Sequence, residues 1–480
     1  MIFNSIEFAI FLPVVFGIYW FLANKNLKLQ NGLIVAASYL FYGWWDYRFL
    51  SLIAFSSALD YFIGLNLGRE NDEAKRRIWI TASLVVNLGL LGFFKYFNFF
   101  IESFAGAFTW LGQTIEPTRL EIILPVGISF YTFQTLSYSI DIYQRKIEPC
   151  TEPVSFFAFV SFFPQLVAGP IERASNLLPQ FHKPRVFDYG NAVDGMRQIL
   201  WGLFKKIVVA DGCAEYANLI FNHSEDYSGS MLLAGGLFFA FQIYGDFSGY
   251  SDIAIGVSRL FGFRLMQNFA FPYFSRSIAE FWRRWHISLS TWFRDYLYIP
   301  LGGSRVGIGS KIRNTFIIFT VSGFWHGANW TFIAWGVLNA VLFLPALLIK
   351  PQSPVSSVVA QGRMFPTLRE LVAMLTTFLL TVFGWIFFRA RDVGHACDMI
   401  TGIFAKDTFK PLQLPHEANL VIYSVCFMMI LEWLGRENQH ALEKLGLKWY
   451  RPVRWMFYMA LFMSLIVLAG EEQDFIYFQF

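Results

Sequence analysis

Apolar residues along this chain gather in blocks of roughly 17–25, the length that crosses a hydrocarbon core ~30 Å thick. The blocks predict spans at about 5–22, 31–46, 49–67, 78–103 and 121–142. Others follow near 198–222, 231–262, 314–331, 332–349, 370–389, 418–434 and 455–470. The stretch 154–170 is short and broken by Pro164, so the pattern predicts roughly eleven to thirteen transmembrane or re-entrant helices. The expected fold class is an all-α polytopic integral membrane protein, with one integral domain over residues 1–480. Within it, 1–150 supplies N-terminal helices, 151–345 a core with basic cytoplasmic-side helices, and 346–480 C-terminal helices and a tail. Residues 350–369 read as the one loop-rich joint.

Composition sharpens this picture. The 480 residues are 55% hydrophobic and 19% aromatic, and only 15% are charged. A soluble chain normally carries about a quarter charged residues, which excludes an ordinary soluble enzyme. The N-terminus, "MIFNSIEFAIFLPVVFGIYWFL", lacks the basic leader and small-residue cleavage site of a signal peptide and reads as a retained first span. Cys150, Cys213, Cys397 and Cys426 lie far apart without metal-ligand spacing and read as small hydrophobes.

Charge distribution orients the spans. Lys25 and Lys28, then Arg69, Lys75, Arg76 and Arg77, then Arg145 and Lys146 mark alternate loops, which the positive-inside rule places in the cytoplasm. The N-terminus, the acidic loop "HSEDYSGS" at 223–230 and the tail "EEQDFIYFQF" then fall outside.

Against this apolar frame a few polar residues stand out. The run "FWRRWHISLSTWFRDYLYIPLGGSR" at 281–305 has helical character to about 299, and places Trp282, His286, Ser290 and Arg294 on one stripe. Arg283, Arg284 and Arg294 sit in a basic neighbourhood suited either to snorkelling at the interface or to drawing in an anionic donor. Further on, "SGFWHGANW" at 322–330 puts His326 about 12 residues, or ~18 Å, into a span starting near Asn314. An ionisable residue at that depth is expensive and usually faces a cavity. A desolvated imidazole stays neutral and can accept a proton, as acyl transfer to a hydroxyl requires. Asn329, three residues on, could orient that ring or donate to an oxyanion. The run "YGDFSGYSDIAIG" at 244–256 reads mainly as a packing and hydrogen-bonding site. Asp60, Asp246 and Asp252 also leave open a transporter with a proton path.

Taken together these motifs resemble the membrane-bound O-acyltransferase family, in its bacterial alginate O-acetylase and teichoic acid D-alanyl transfer branch. The resemblance runs over most of the chain, through "ILPVGISFYTFQTLSYSIDIY", "FFPQLVAGPIER", "EFWRRWHISLSTWFRDYLYIPLGG" and "SGFWHGANW", and thins after about residue 345. It implies a ring of helices around a central tunnel, His326 as the catalytic histidine and His286 as the second family histidine. Arg283, Arg284, Arg294, Trp282 and Trp325 become candidates for donor binding. The final "FIYFQF" resembles a C-terminal motif of this branch, which makes Tyr477 a candidate acyl relay rather than an aromatic anchor. The implied donor is acetyl-coenzyme A or an acyl carrier thioester, with no tightly bound cofactor and no metal. The implied partners are membrane lipids, an extracytoplasmic SGNH-type acetyltransferase and a polysaccharide acceptor, with no nucleic acid. Alginate-type exopolysaccharide is favoured over peptidoglycan or cellulose, and the implied location is the bacterial cytoplasmic (inner) membrane.

Overall fold

The computed structural model of the protein describes residues 1–113, 115–167, 169–349, 358–405, 410–473 and 475–476. Among them the regular elements are all helices, and helix occupies each of the twelve expected spans. The chain is an all-α polytopic membrane protein. Among the described residues, six helices are long and apolar enough to cross a membrane: Tyr47–Arg69, Glu73–Trp110, Gly229–Leu260, Trp330–Leu348, Leu368–Arg389 and Ala418–Gly435. The other expected stretches hold shorter or more polar helices, which is the re-entrant share of the expected eleven to thirteen. Leu27–Gly43 and Arg451–Val467 stop at 17 residues, and Ile128–Tyr143 at 16. The 198–222 stretch carries Lys205, Lys206 and Asp211 in and beside the π-helical segment Phe204–Ala210.

Two compact units divide the chain. One comprises Met1–Ala192 with Val257–Leu265, the other Val193–Gly256 with Met266–Phe480. In the first unit Asp60 is fully buried and accepts from Ser83 Oγ at 2.6 Å, Asn87 Nδ2 at 2.8 Å and Ser139 Oγ at 2.8 Å. Three donors from two neighbouring helices satisfy a carboxyl group that would otherwise be costly in this interior. Arg76 is not a loop cation but a buried clamp. Its guanidinium donates to the carbonyls of Leu67, Ile142 and Tyr143, the orphan acceptors at two helix C-termini.

The second unit is built on backbone approach. A Cβ on Gly202 would lie 2.5 Å from the Gly249 carbonyl oxygen, and one on Gly256 equally close to that of Gly195. Small residues at this crossing let Tyr189–Leu203 and Gly229–Leu260 touch along their main chains. The tight packing expected for 244–256 is therefore present.

Two helices end where continuity was expected. The span drawn at 314–331 is instead Ile308–His326, so His326 is its last residue rather than its middle. Gly327 is extended at φ −164°, and the Asn329 side chain accepts from Thr331 N to start Trp330–Leu348. The run 281–299 likewise breaks, into Ile278–Arg284, Ile287–Phe293 and a π-helical turn Arg294–Tyr298. His286 sits in the gap in the left-handed region at φ 43°.

A side chain at Gly249 would meet the Gly202 carbonyl oxygen at 2.7 Å and Lys206 N at 3.1 Å. Gly249→Leu is expected to destabilise the protein by about 1–3 kcal/mol through overpacking. Heating followed by size-exclusion chromatography should show an earlier loss of monodisperse protein. An unchanged midpoint would mean the two backbones have room to part.

Candidate active site

Both breaks serve one cavity. It encloses about 370 Å³ and is lined by Trp282, Arg283, His286, Ser290, Arg294 and His326, with an apolar wall that includes Phe319 and Phe343. The stripe Trp282, His286, Ser290 and Arg294 therefore holds its common face even though the helix is interrupted.

An extended segment before the first helix stabilises the gap at His286. Ala270 N donates to the Arg284 carbonyl and Ile287 N to that of Asn268, both at 2.9 Å, so the main chain around the break keeps its hydrogen bonds. The Asn268 side chain then sets the ring. Its amide oxygen accepts from Ser288 N at 3.3 Å, an unambiguous donor that fixes the amide's orientation, and from Ser288 Oγ at 2.9 Å. The same oxygen lies 3.1 Å from His286 Nδ1. An amide oxygen can only accept, so Nδ1 carries the proton and Nε2 is the basic nitrogen of the neutral ring. Asn268 Nδ2 in turn donates to Ser251 Oγ at 3.1 Å. Phe247 meets the ring at right angles, 4.6 Å between centroids.

His326 is held by aromatic packing. Its ring lies 5.0 Å from Trp325, 5.2 Å from Trp335 and 5.2 Å from Phe388, each approached edge to face. The hairpin that carries it closes on glycines, because a Cβ on Gly323 would collide with the Phe332 carbonyl and one on Gly327 with the Phe332 ring. Trp325 also lies 6.1 Å from His286, so one indole bridges the two histidines.

The other expected site residues divide. Arg283 is exposed at the cavity, and Arg294 lines it while pairing with Asp295 at 2.7 Å. Arg284 is instead engaged by Glu280 at 3.0 Å and by the Ala270 carbonyl at 3.1 Å. Asn329 acts as a helix cap, and its Nδ2 donates to the Arg391 carbonyl at 3.3 Å, which commits both ends of the amide outside the lining. Tyr477 lies outside the described residues. Asn268 and Phe247 were not singled out in the sequence, where an asparagine in "LMQNFAFPYF" carries no spacing signal.

Elsewhere in this unit a serine–histidine contact joins Ser224 Oγ and His395 Nε2 at 3.0 Å. Arg391 N donates to Nδ1 of that histidine at 3.2 Å, so Nε2 bears the proton and donates to the serine. That polarity is opposite to the one that activates a nucleophile.

Residues 150–364 match the family model for the membrane-bound O-acyltransferase family, MBOAT. The probable alginate O-acetylase AlgI of Pseudomonas putida is 37% identical over the whole of both chains. The chain belongs to the membrane-bound O-acyltransferase family. The peptidoglycan O-acetyltransferase of Helicobacter pylori is 33% identical over all of this chain and 98% of its own. Further out, the teichoic acid D-alanyltransferase of Streptococcus thermophilus is 30% identical over 51% of this chain and 62% of its own. As a member of that family this chain is a multi-pass membrane acyltransferase, and the reading of a transporter without chemistry gives way to it. Asp60, Asp246 and Asp252 are each engaged by donors or lysines in the interior.

Asn268→Leu keeps the side-chain volume but strips the acceptor from His286 Nδ1–H and Ser288. Acyl transfer should fall by about 10–100-fold, the usual effect of losing an orienting partner. Asn268→Asp, which can still accept, should retain more activity. Equal rates for the two variants, measured as thioester consumption, would contradict the tautomer assignment.

Proposed function

We propose that the protein transfers an acetyl group from a cytoplasmic thioester, acetyl-coenzyme A or an acylated carrier, for O-acetylation of a secreted polysaccharide of the alginate type. The observation that carries this reading is the convergence of His286 and His326 on one cavity that also exposes Arg283 and Arg294. Guanidinium groups at a mostly apolar cavity suit a donor with a long uncharged arm and phosphates behind it. The volume sits toward the lower end of ligand sites, about 300–1,000 Å³. That suits the reactive arm of such a donor.

The chemistry follows from the ring nitrogens. His326 takes the proton of the acceptor hydroxyl as its oxygen attacks the thioester carbonyl. The tetrahedral intermediate collapses with loss of the C–S bond, and the imidazolium returns its proton to the leaving thiolate. Basic Nε2 of His286 accepts a hydrogen bond from a bound N–H or O–H and so orients donor or acceptor. Arg283 and Arg294 hold the anionic part of the donor and Trp282 forms an aromatic wall, while Trp325, outside the lining, packs between the two histidines. Asn329 contributes by capping the helix after His326.

The acceptor hydroxyl is either Tyr477 or the polymer. Tyr477 is favoured because the residues just before it, Phe475 and Ile476, are buried at 0% and 1% exposure, and Phe475 packs on the Phe247 ring that meets His286. A phenol needs a base to become nucleophilic. From Tyr477 the acetyl group passes to an SGNH-type partner on the outer face of the bacterial cytoplasmic membrane. The alginate reading rests on full-length similarity to the Pseudomonas relative. Peptidoglycan is the second reading, favoured by the Helicobacter relative, which also aligns over the whole chain.

The test is mass spectrometry of purified protein after incubation with labelled acetyl-coenzyme A. Wild type should carry label on the C-terminal peptide; His326→Ala and Tyr477→Phe should not, and His326→Ala should slow thioester consumption by about 10²–10⁴-fold. Label retained in Tyr477→Phe would move the acceptor elsewhere, and wild-type turnover in His326→Ala would remove that residue from the chemistry.

A further inference from the structure

The same unit buries two lysines side by side in the π-helical segment Phe204–Ala210. Lys205 pairs with Asp252 at 2.6 Å and donates to Ser248 Oγ at 2.9 Å. Its neighbour is different. Lys206 pairs with Asp211 at 2.8 Å and Asp246 at 3.0 Å, and also donates to the main-chain carbonyl of Gln473 at 2.9 Å. Asp246 then accepts from Ile476 N at 2.6 Å. One buried ion cluster thus grips the C-terminal segment at two points of its backbone. Two carboxylates against one ammonium leave a formal excess of negative charge, and the tail's N–H helps to satisfy it.

The grip has a second part upstream. Gly470 N bonds the Ile207 carbonyl at 3.3 Å, and a Cβ on Gly470 would lie 2.6 Å from Gly212 N. Between the fastenings at Gln473 and Ile476, Phe475 is inserted 4.4 Å from Tyr250 and 6.0 Å from Phe247. Phe247 is the ring that stands against His286. A continuous path therefore leads from the cluster, through the tail, to the wall of the cavity.

We propose that Lys206 and Asp246 are positioning residues that clasp the backbone at Gln473 and Ile476, so that Phe475 backs the Phe247 ring against His286 and thereby supports the acyl-transfer site. The polar fastenings are made by backbone atoms, so the side chains that matter most are those of Gly470, Phe475 and the buried Ile476. The clasp is stated for the acyl-transfer reaction and does not require that Tyr477 carry the acyl group.

Asp246→Asn tests it, because the amide still fits and still accepts while the charge pairing with Lys206 is lost. The full-length variant would be compared with wild type in nanodiscs by hydrogen exchange and by thioester turnover. Exchange in the peptide 468–480 should rise about tenfold with the helix Gly229–Leu260 unaffected, and kcat should fall about 10–100-fold with KM for acetyl-coenzyme A changed less than about twofold. Asp60→Asn, a buried carboxylate of the other unit, should leave exchange of the tail peptide unchanged. Should Asp246→Asn fail to fold, Phe475→Ala leaves the cluster intact and should lower kcat in the same way. An unaltered tail in folded Asp246→Asn, or wild-type kcat in Phe475→Ala, overturns the clasp. An active Tyr477→Phe would end the relay while leaving both clasp results in force.

Discussion

A helix that stops inside an apolar protein must hand its freed backbone groups to a neighbour, because no water is there to take them. The site meets that constraint at His286 and at the start of the helix that follows His326. At His286 the neighbour is the extended stretch around Asn268, which supplies carbonyl, amide N–H and side-chain oxygen in one place. At His326 the next helix begins four residues on, and its N-cap Asn329 accepts from Thr331 N to close the first turn. Each break aims a histidine that an unbroken helix would have carried along its side. The left-handed backbone at His286 is tolerated because these bonds overdetermine it.

Buried charge is handled by the same economy. Asp60 is satisfied by hydroxyl and amide donors, Arg76 by helix-end carbonyls, and the two lysines of the π-helical segment by carboxylates. Apart from Asp211, five residues on from Lys206, the partners belong to another helix or to a separate stretch of chain, so the polar groups tie elements together where apolar contact alone is unspecific. The C-terminal tail is tied in this way too. It extends the set of elements on which the position of His286 depends.

Much of the architecture was legible from the sequence. Apolar blocks located twelve helical stretches, and the stripe from Trp282 to Arg294 anticipated which side chains share the cavity. What the pattern missed lay in breaks and in partners distant along the chain. Periodicity treats 281–299 and 314–331 as continuous, since one left-handed residue or one extended glycine leaves no trace in hydrophobic spacing. Asn268 lies 18 residues before the histidine it orients. Ile476 bonds an aspartate 230 residues away. Asn329 drew attention by closeness to His326, but its capping bond to Thr331 is as local and explains the residue. Arg284 and Arg294 carry the same charge, yet only the geometry separates the one locked onto Glu280 from the one at the cavity.

The central claim is that the two histidines define a single chamber in which the thioester reacts. The most direct measurement is an electron cryomicroscopy structure with a non-reactive acetyl-coenzyme A analogue in which the sulfur is replaced by methylene. The account predicts the analogue's arm inside the cavity between Trp282 and Phe343, its phosphates toward Arg283 and Arg294, and its carbonyl carbon next to His326, with room between them for the attacking hydroxyl. An analogue bound elsewhere, or seated in the cavity with its carbonyl turned away from both histidines, would contradict it.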